Sequence, residues 1–151
     1  MKIKILYATE TGNAEMLAED IAKHLGKTHE VAITNVTAAT PAMLADGALL
    51  VFISSTYGEG ELPSTARPFH EALLAAKPDL AGVRFAVFGL GDQGTYPETF
   101  AFGVKHWADA LTSLGAGQIG PKSVHDASGA DLAEDIALPW IDDVLALCEA
   151  A

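Results

Sequence analysis

Three segments of the chain combine glycines, hydroxyls, acids and tyrosines at spacings that suit a bound ligand. The first is Thr9-Glu10-Thr11-Gly12-Asn13-Ala14. It offers two hydroxyls, a glycine that lets a ligand approach the backbone, and a run of N–H groups where a helix begins. That combination can cradle a phosphate. The same hydroxyls also suit an ordinary N-cap by Thr9 or Thr11. The segment holds no Lys or Arg, so an anion there would be held by dipoles and hydroxyls. The second, Ser54-Ser55-Thr56-Tyr57-Gly58-Glu59-Gly60-Glu61-Leu62-Pro63, places two glycines around an acid and presents a tyrosine. The third, Gly89-Leu90-Gly91-Asp92-Gln93-Gly94-Thr95-Tyr96-Pro97, offers another tyrosine in a glycine-rich loop. Gly89, Gly91 and Gly94 also spell the dinucleotide pattern G-x-G-x-x-G. That pattern belongs in the first strand-to-helix turn of a nucleotide-binding unit, whereas this copy follows a fourth strand, so it is set aside.

The elements that must position these loops alternate along the chain. Strands are predicted over Lys2–Thr9, Val31–Val36, Ala48–Ser54, Arg84–Gly89 and, more weakly, Gln118–Val124. Helices are predicted over Gly12–Gly26, Ser64–Lys77, Thr99–Leu114 and Asp131–Glu149. In the first helix Met16, Leu17, Ile21 and Leu25 carry the apolar spacing. Ala48–Ser54 is near-continuously apolar, as a central strand covered on both faces must be. Pro139 is expected to kink the last helix or to start its second half. Strands alternating with helices give an α/β protein with a parallel sheet and right-handed crossovers. In such a sheet ligands bind beyond the carboxyl ends of the strands, where the strand order switches. Each of the three loops follows a strand. A phosphate cradle flanked by two tyrosine-bearing loops fits a phosphorylated planar ring system.

Composition narrows the function classes. The chain has 151 residues, expected to form one domain over 1–151. Half of the residues are apolar, which excludes intrinsic disorder. Nine basic residues face 20 acidic ones for a net charge of −11. That field repels nucleic acid and anionic membranes and suits a basic protein surface, a cation, or no charged partner at all. No stretch has the length and apolarity of a membrane span, and no signal peptide is evident, so a cytoplasmic protein is expected. Cys148 is the one cysteine and reads as a small apolar filler. His24, His29, His70, His106 and His125 are scattered without metal-ligand spacing, and no metal site or catalytic residue is expected. Each histidine reads as a surface or half-buried side chain, and His70, on the helix after the second loop, is the one to check for contact with a cofactor or partner.

With these residues in view, the chain resembles the flavodoxins, small FMN-binding electron carriers. Thr9-Glu10-Thr11-Gly12-Asn13-Ala14-Glu15 is similar to their phosphate loop. Ser55-Thr56-Tyr57-Gly58-Glu59-Gly60 resembles the second loop of the FMN domains of sulfite reductase, cytochrome P450 reductase and MioC-type proteins. Phe88 to Pro97 looks like the third loop of free-standing flavodoxins. The resemblance implies a three-layer α/β/α fold with a five-stranded parallel sheet of order 2-1-3-4-5, and FMN as cofactor. Thr9, Glu10, Thr11, Gly12, Asn13 and Ala14 would hold the phosphate. Many flavodoxins carry a hydroxyl where this chain has Ala14, which shifts one phosphate bond to Asn13 or to backbone. Ser55, Thr56, Tyr57, Gly58, Glu59 and Gly60 would meet the ribityl chain and ring, with Tyr57 on one face. Leu90, Gly91, Asp92, Gly94 and Tyr96 would line the ring edge, with Tyr96 on the other face and Phe100 also at the cofactor.

The implied function is one-electron carriage through the semiquinone and hydroquinone states. Electrons would pass from a flavodoxin-reductase-type donor to acceptor enzymes with basic surfaces, in transient encounters of a monomer. Glu59, Glu61 and Asp92 would sit near the ring; unit charges ~4 Å apart repel by roughly 4 kcal/mol at an effective dielectric of 20, which lowers the second potential. The peptide after Gly58 would be free to flip on reduction. An FMN-dependent NAD(P)H:quinone reductase is the alternative on the same fold, and a module of a larger reductase is a third. A phosphate-accepting receiver domain does not fit, because Tyr7-Ala8-Thr9 brings no acidic cluster for Mg²⁺.

Overall fold

The computed structural model of the chain describes residues 2–8, 12–55, 62–91, 103–120, 122–126 and 132–150. Its strands are β1 (Lys2–Ala8), β2 (Glu30–Asn35), β3 (Leu49–Ser55), β4 (Arg84–Gly91), β5 (Gly117–Gln118) and β6 (Ser123–Asp126). Its helices are α1 (Asn13–Leu25), α2 (Arg67–Ala76), α3 (Gly103–Ser113) and α4 (Ala133–Ala150). Among the described residues all strand pairings are parallel, in the order β2-β1-β3-β4-β5, with β6 also paired to β4. This is the predicted 2-1-3-4-5 order. The fifth position is filled by two short segments rather than the single strand expected over Gln118–Val124. Gly120-Pro121 separates them in sequence, and a proline has no N–H for the ladder. The Ile119 N–H still bonds the Phe85 carbonyl at 2.8 Å before the interruption.

The period-2 alternation of the strands divides the core into two layers. Ile3, Ile5, Leu49, Val51, Ile53, Ala86, Phe88 and Leu90 pack under α1 and α4. Leu6, Ala8, Leu50, Phe52, Phe85 and Val87 pack under α2 and α3. β3 is buried on both faces from Leu49 to Ile53, as its continuous apolar run requires. On α1 the buried stripe is Ala14, Leu17, Ala18, Ile21 and Leu25. Met16, expected in that stripe, is 64% exposed. At 100° per residue it lies well round the helix from Leu17 and Ile21, and the two alanines take its place against the sheet.

Pro139 lies inside α4, which runs unbroken from Ala133 to Ala150. The predicted start of the third helix, over residues 99–102, falls outside the described residues. Between β2 and β3 the chain makes two 3-10 turns, Val36–Ala38 and Pro41–Ala45, without counterpart in the sequence prediction. The second is tied to β1: Lys4 Nζ donates to the Met43 carbonyl at 2.6 Å and to Asp46 Oδ2 at 2.6 Å. Cys148 is buried, in the α1/α4 layer. Among the described residues no helix is long and apolar enough to cross a membrane.

Candidate functional site

The chain lays β2 on one side of β1 and then crosses to place β3 on the other, so the strand order switches between β1 and β3. A crevice opens beyond the carboxyl ends of the strands at such a switch. Register brings the strand ends into one row: Ala8 lies beside Ser54, Ser54 beside Gly89, and Gly89 beside Val124. At ~4.8 Å between neighbouring strands, the ends of β1 and β4 are about 10 Å apart with β3 between them. The three glycine-rich loops therefore leave the sheet from adjacent points on one edge. Sequence separation hides this, since residues 8, 54 and 89 meet only through parallel pairing.

Of the predicted site residues, Gly12, Asn13, Ala14, Ser55, Leu90 and Gly91 are described, and all stand on this edge. Thr9, Glu10, Thr11, residues 56–60, Asp92, Gly94, Tyr96 and Phe100 lie outside the described residues. Gly12 precedes α1 with φ +92° and ψ −5°, in the left-handed region. A Cβ built there would have no atom within 4 Å, so the backbone borders open space. Its carbonyl accepts the Met16 N–H at 3.0 Å, the first helical bond of α1. The N–H groups of Asn13, Ala14 and Glu15 precede that bond and have no partner within the helix ladder. They face the strand ends with the positive end of the helix dipole. Asn13 is exposed, whereas the Ala14 methyl is buried in the core. What Ala14 can give an anion is its N–H. These features fit the phosphate end of FMN: open space, a left-handed glycine and a helix start.

Ser55 ends β3 and is half-buried, and Gly91 ends β4 beside Asp126. Leu90 is buried in the α1/α4 layer, so what it can offer a ligand is backbone. Gly89 and Gly91 lie within β4 itself, whereas the first two glycines of a dinucleotide fingerprint belong in a strand-to-helix turn.

Sequence reasoning passed over two residues beneath this edge. Ser54 is fully buried on the α2/α3 side, and Trp107 of α3 donates its Nε1–H to Ser54 Oγ at 3.0 Å. The signal was present in principle. A serine inside an apolar central strand and a tryptophan on a buried helix face each need a polar partner. His70 of α2 stands edge-on to Trp107 at 5.5 Å and to His106 at 6.2 Å. Burial pushes its imidazole below the ordinary 6.5, with the His106 backbone and Glu71 opposing and the His106 charge assisting. Among the described residues no group of three or more His, Cys, Asp or Glu is placed to hold a metal ion.

The flavodoxin family model matches residues 5–140. The chain is 33% identical over 141 residues to Protein MioC of Escherichia coli O157:H7, covering 92% of each. It is 34% identical over 151 residues to NADPH-dependent diflavin oxidoreductase 1 of Aspergillus fumigatus, covering 92% of this chain. It spans only 23% of that relative's length. A flavodoxin from Pseudomonas aeruginosa (its C101A mutant) superposes with a TM-score of 0.85 and 30% identity, over 97% of this chain and 98% of the other. With the sheet order and these similarities together, the chain belongs to the flavodoxin family of FMN-binding electron-transfer proteins.

Proposed function

We propose that the protein is a cytoplasmic FMN-binding carrier that moves electrons one at a time from a reductase to acceptor enzymes. The observation that carries the reading is the row Ala8–Ser54–Gly89. It sends the three loops out of one sheet edge beside the start of α1. When bound, FMN supplies the redox chemistry, and the chain supplies binding, orientation and field. In this reading Thr9, Glu10, Thr11, Gly12, Asn13 and Ala14 hold the phosphate. The backbone N–H groups at the start of α1 do most of the work, because no Lys or Arg occurs between residues 9 and 15. Ser55, Thr56, Tyr57, Gly58, Glu59 and Gly60 take the ribityl chain and one ring face. Leu90, Gly91, Asp92, Gly94, Tyr96 and Phe100 take the ring edge and the other face.

The net charge of −11 supports a partner with a basic surface, met in brief, salt-sensitive encounters. Similarity to part of an NADPH-dependent diflavin oxidoreductase supports an NADPH-dependent reductase as donor. The decisive experiment is the absorption spectrum of the purified protein with added FMN, followed by photoreduction. A tight 1:1 flavin complex reduced in two separate one-electron steps is the expected result. A protein that ignores FMN refutes the reading. Rapid oxidation of NAD(P)H with a quinone and no added reductase would instead make it a quinone reductase.

A further inference from the structure

Ser54 is one of two polar side chains, with Lys4, buried in the core among the described residues. It occupies an even-numbered position of β3, so the strand's alternation turns it with Leu50 and Phe52 towards α2 and α3. Its hydroxyl makes two bonds there. It accepts from Trp107 Nε1 at 3.0 Å and donates to the Ser55 carbonyl at 3.0 Å. The direction of this relay is forced. An indole N–H can only donate, so the serine oxygen must accept it and has a single proton left to give. Bonds chained this way polarise one another and strengthen in a dry surrounding.

Trp107 is a stiff post for the relay. It is fully buried, and its ring lies 5.1 Å from Phe52, 5.8 Å from Phe69 and 5.5 Å from His70. The Ser55 carbonyl belongs to the peptide plane that joins β3 to residue 56, and that plane is rigid. Holding its oxygen therefore fixes the last peptide of β3, the one from which the chain continues into the second loop. We infer that Ser54, backed by Trp107, is a positioning residue for the second FMN loop: it clamps the peptide on which that loop is hung. The inference rests on the FMN reading proposed above.

The test compares Ser54→Ala with Trp107→Phe, measuring the FMN dissociation constant of each full-length protein and, separately, its urea midpoint. Ser54→Ala frees the Ser55 carbonyl and strands the indole N–H. Trp107→Phe removes the post but leaves the Ser54–Ser55 bond in place. Ser54→Ala is expected to weaken FMN binding about tenfold, within the range for loss of a buried hydrogen bond, and Trp107→Phe less than about threefold. For stability the order is expected to reverse, since Trp107→Phe also loses packing volume. Should Ser54→Ala fail to fold, Ser54→Cys replaces it. Its weakly donating thiol is expected to weaken binding several-fold, still more than Trp107→Phe. A wild-type protein that binds FMN, with an unchanged constant in the Ser54 variant or with losses that merely track stability, overturns this inference alone. A wild-type protein that does not bind FMN overturns it together with the reading it rests on.

Discussion

Replacing Asp46 by Asn isolates an interaction at the pole of the sheet away from the candidate site. Lys4 is 8% exposed, and its Nζ lies 2.6 Å from Asp46 Oδ2 and 2.6 Å from the Met43 carbonyl. Lys2 approaches the same carboxylate at 3.4 Å. Asp46 is held at about 2, below the usual 3.8, chiefly by the Lys4 hydrogen bond. The Ala48 N–H and Lys2 assist, and partial burial opposes them. A displacement of this size is worth about 2 kcal/mol at full strength. The Asp46 side chain is 33% exposed, and screening reduces that to about 1 kcal/mol. Asn would keep an amide oxygen able to accept from Lys4 but would leave its ammonium in the core without a counter-charge. Breaking a fully buried pair costs ~3–5 kcal/mol, and with one partner at the surface about 2 kcal/mol in all is expected. For a chain of this size that lowers Tm by roughly 4–8 °C.

Urea unfolding of both proteins across pH is the assay. Because folding lowers the pKa of Asp46, its contribution is complete above about pH 4 and is lost as pH falls towards 2. The gap between wild type and Asp46→Asn should therefore close over that window. Lys4 lies four residues from Ala8, about 13 Å along β1, so FMN affinity should not change. A gap below about 0.5 kcal/mol at pH 7, or one that persists unchanged at pH 2, refutes the assignment.

Four further outcomes are expected. Gly12→Ala meets open space and costs only the left-handed backbone, about 1 kcal/mol in urea unfolding, while weakening FMN binding as read by flavin titration. Gly115→Ala has φ +102° and sets a Cβ 3.2 Å from the Ala81 nitrogen, so it should cost more than Gly12→Ala in urea unfolding, with FMN affinity unchanged. The Cys148 thiol, 5% exposed and pushed up by burial, should react with iodoacetamide at pH 7.5 in urea and scarcely at all in the native state, as read by mass spectrometry. The His70 imidazole should titrate below the ordinary 6.5 by NMR. Since folding disfavours its protonation, its effect on stability is felt as pH falls below 6.5, where the unfolded chain takes up the proton first.

Much of the architecture was legible in the residues because it depends on local pattern. The continuous apolar run at Leu49–Ile53 marks a strand buried on both faces, and it is one. The glycines and tyrosines after the first, third and fourth strands carry the family resemblance, and the family model spans residues 5–140. Local pattern failed where neighbours decide. Met16 fits an apolar spacing yet stands in solvent, because Ala14 and Ala18 already fill the face of α1 that meets the sheet. The fifth strand divides because ladder pairing to β4 stops at Gln118 and resumes at Ser123. Side-chain chemistry by itself determined that this chain is an acidic α/β protein with a loop rich in glycine after each of three strands. Only the tertiary structure decided that Ala8, Ser54 and Gly89 stand side by side. It also decided that Ser54 turns away from solvent to meet Trp107, 53 positions later in the chain. Parallel register and the two-residue alternation of a buried strand are long-range facts, set by how strands pair and not by any residue's own preference.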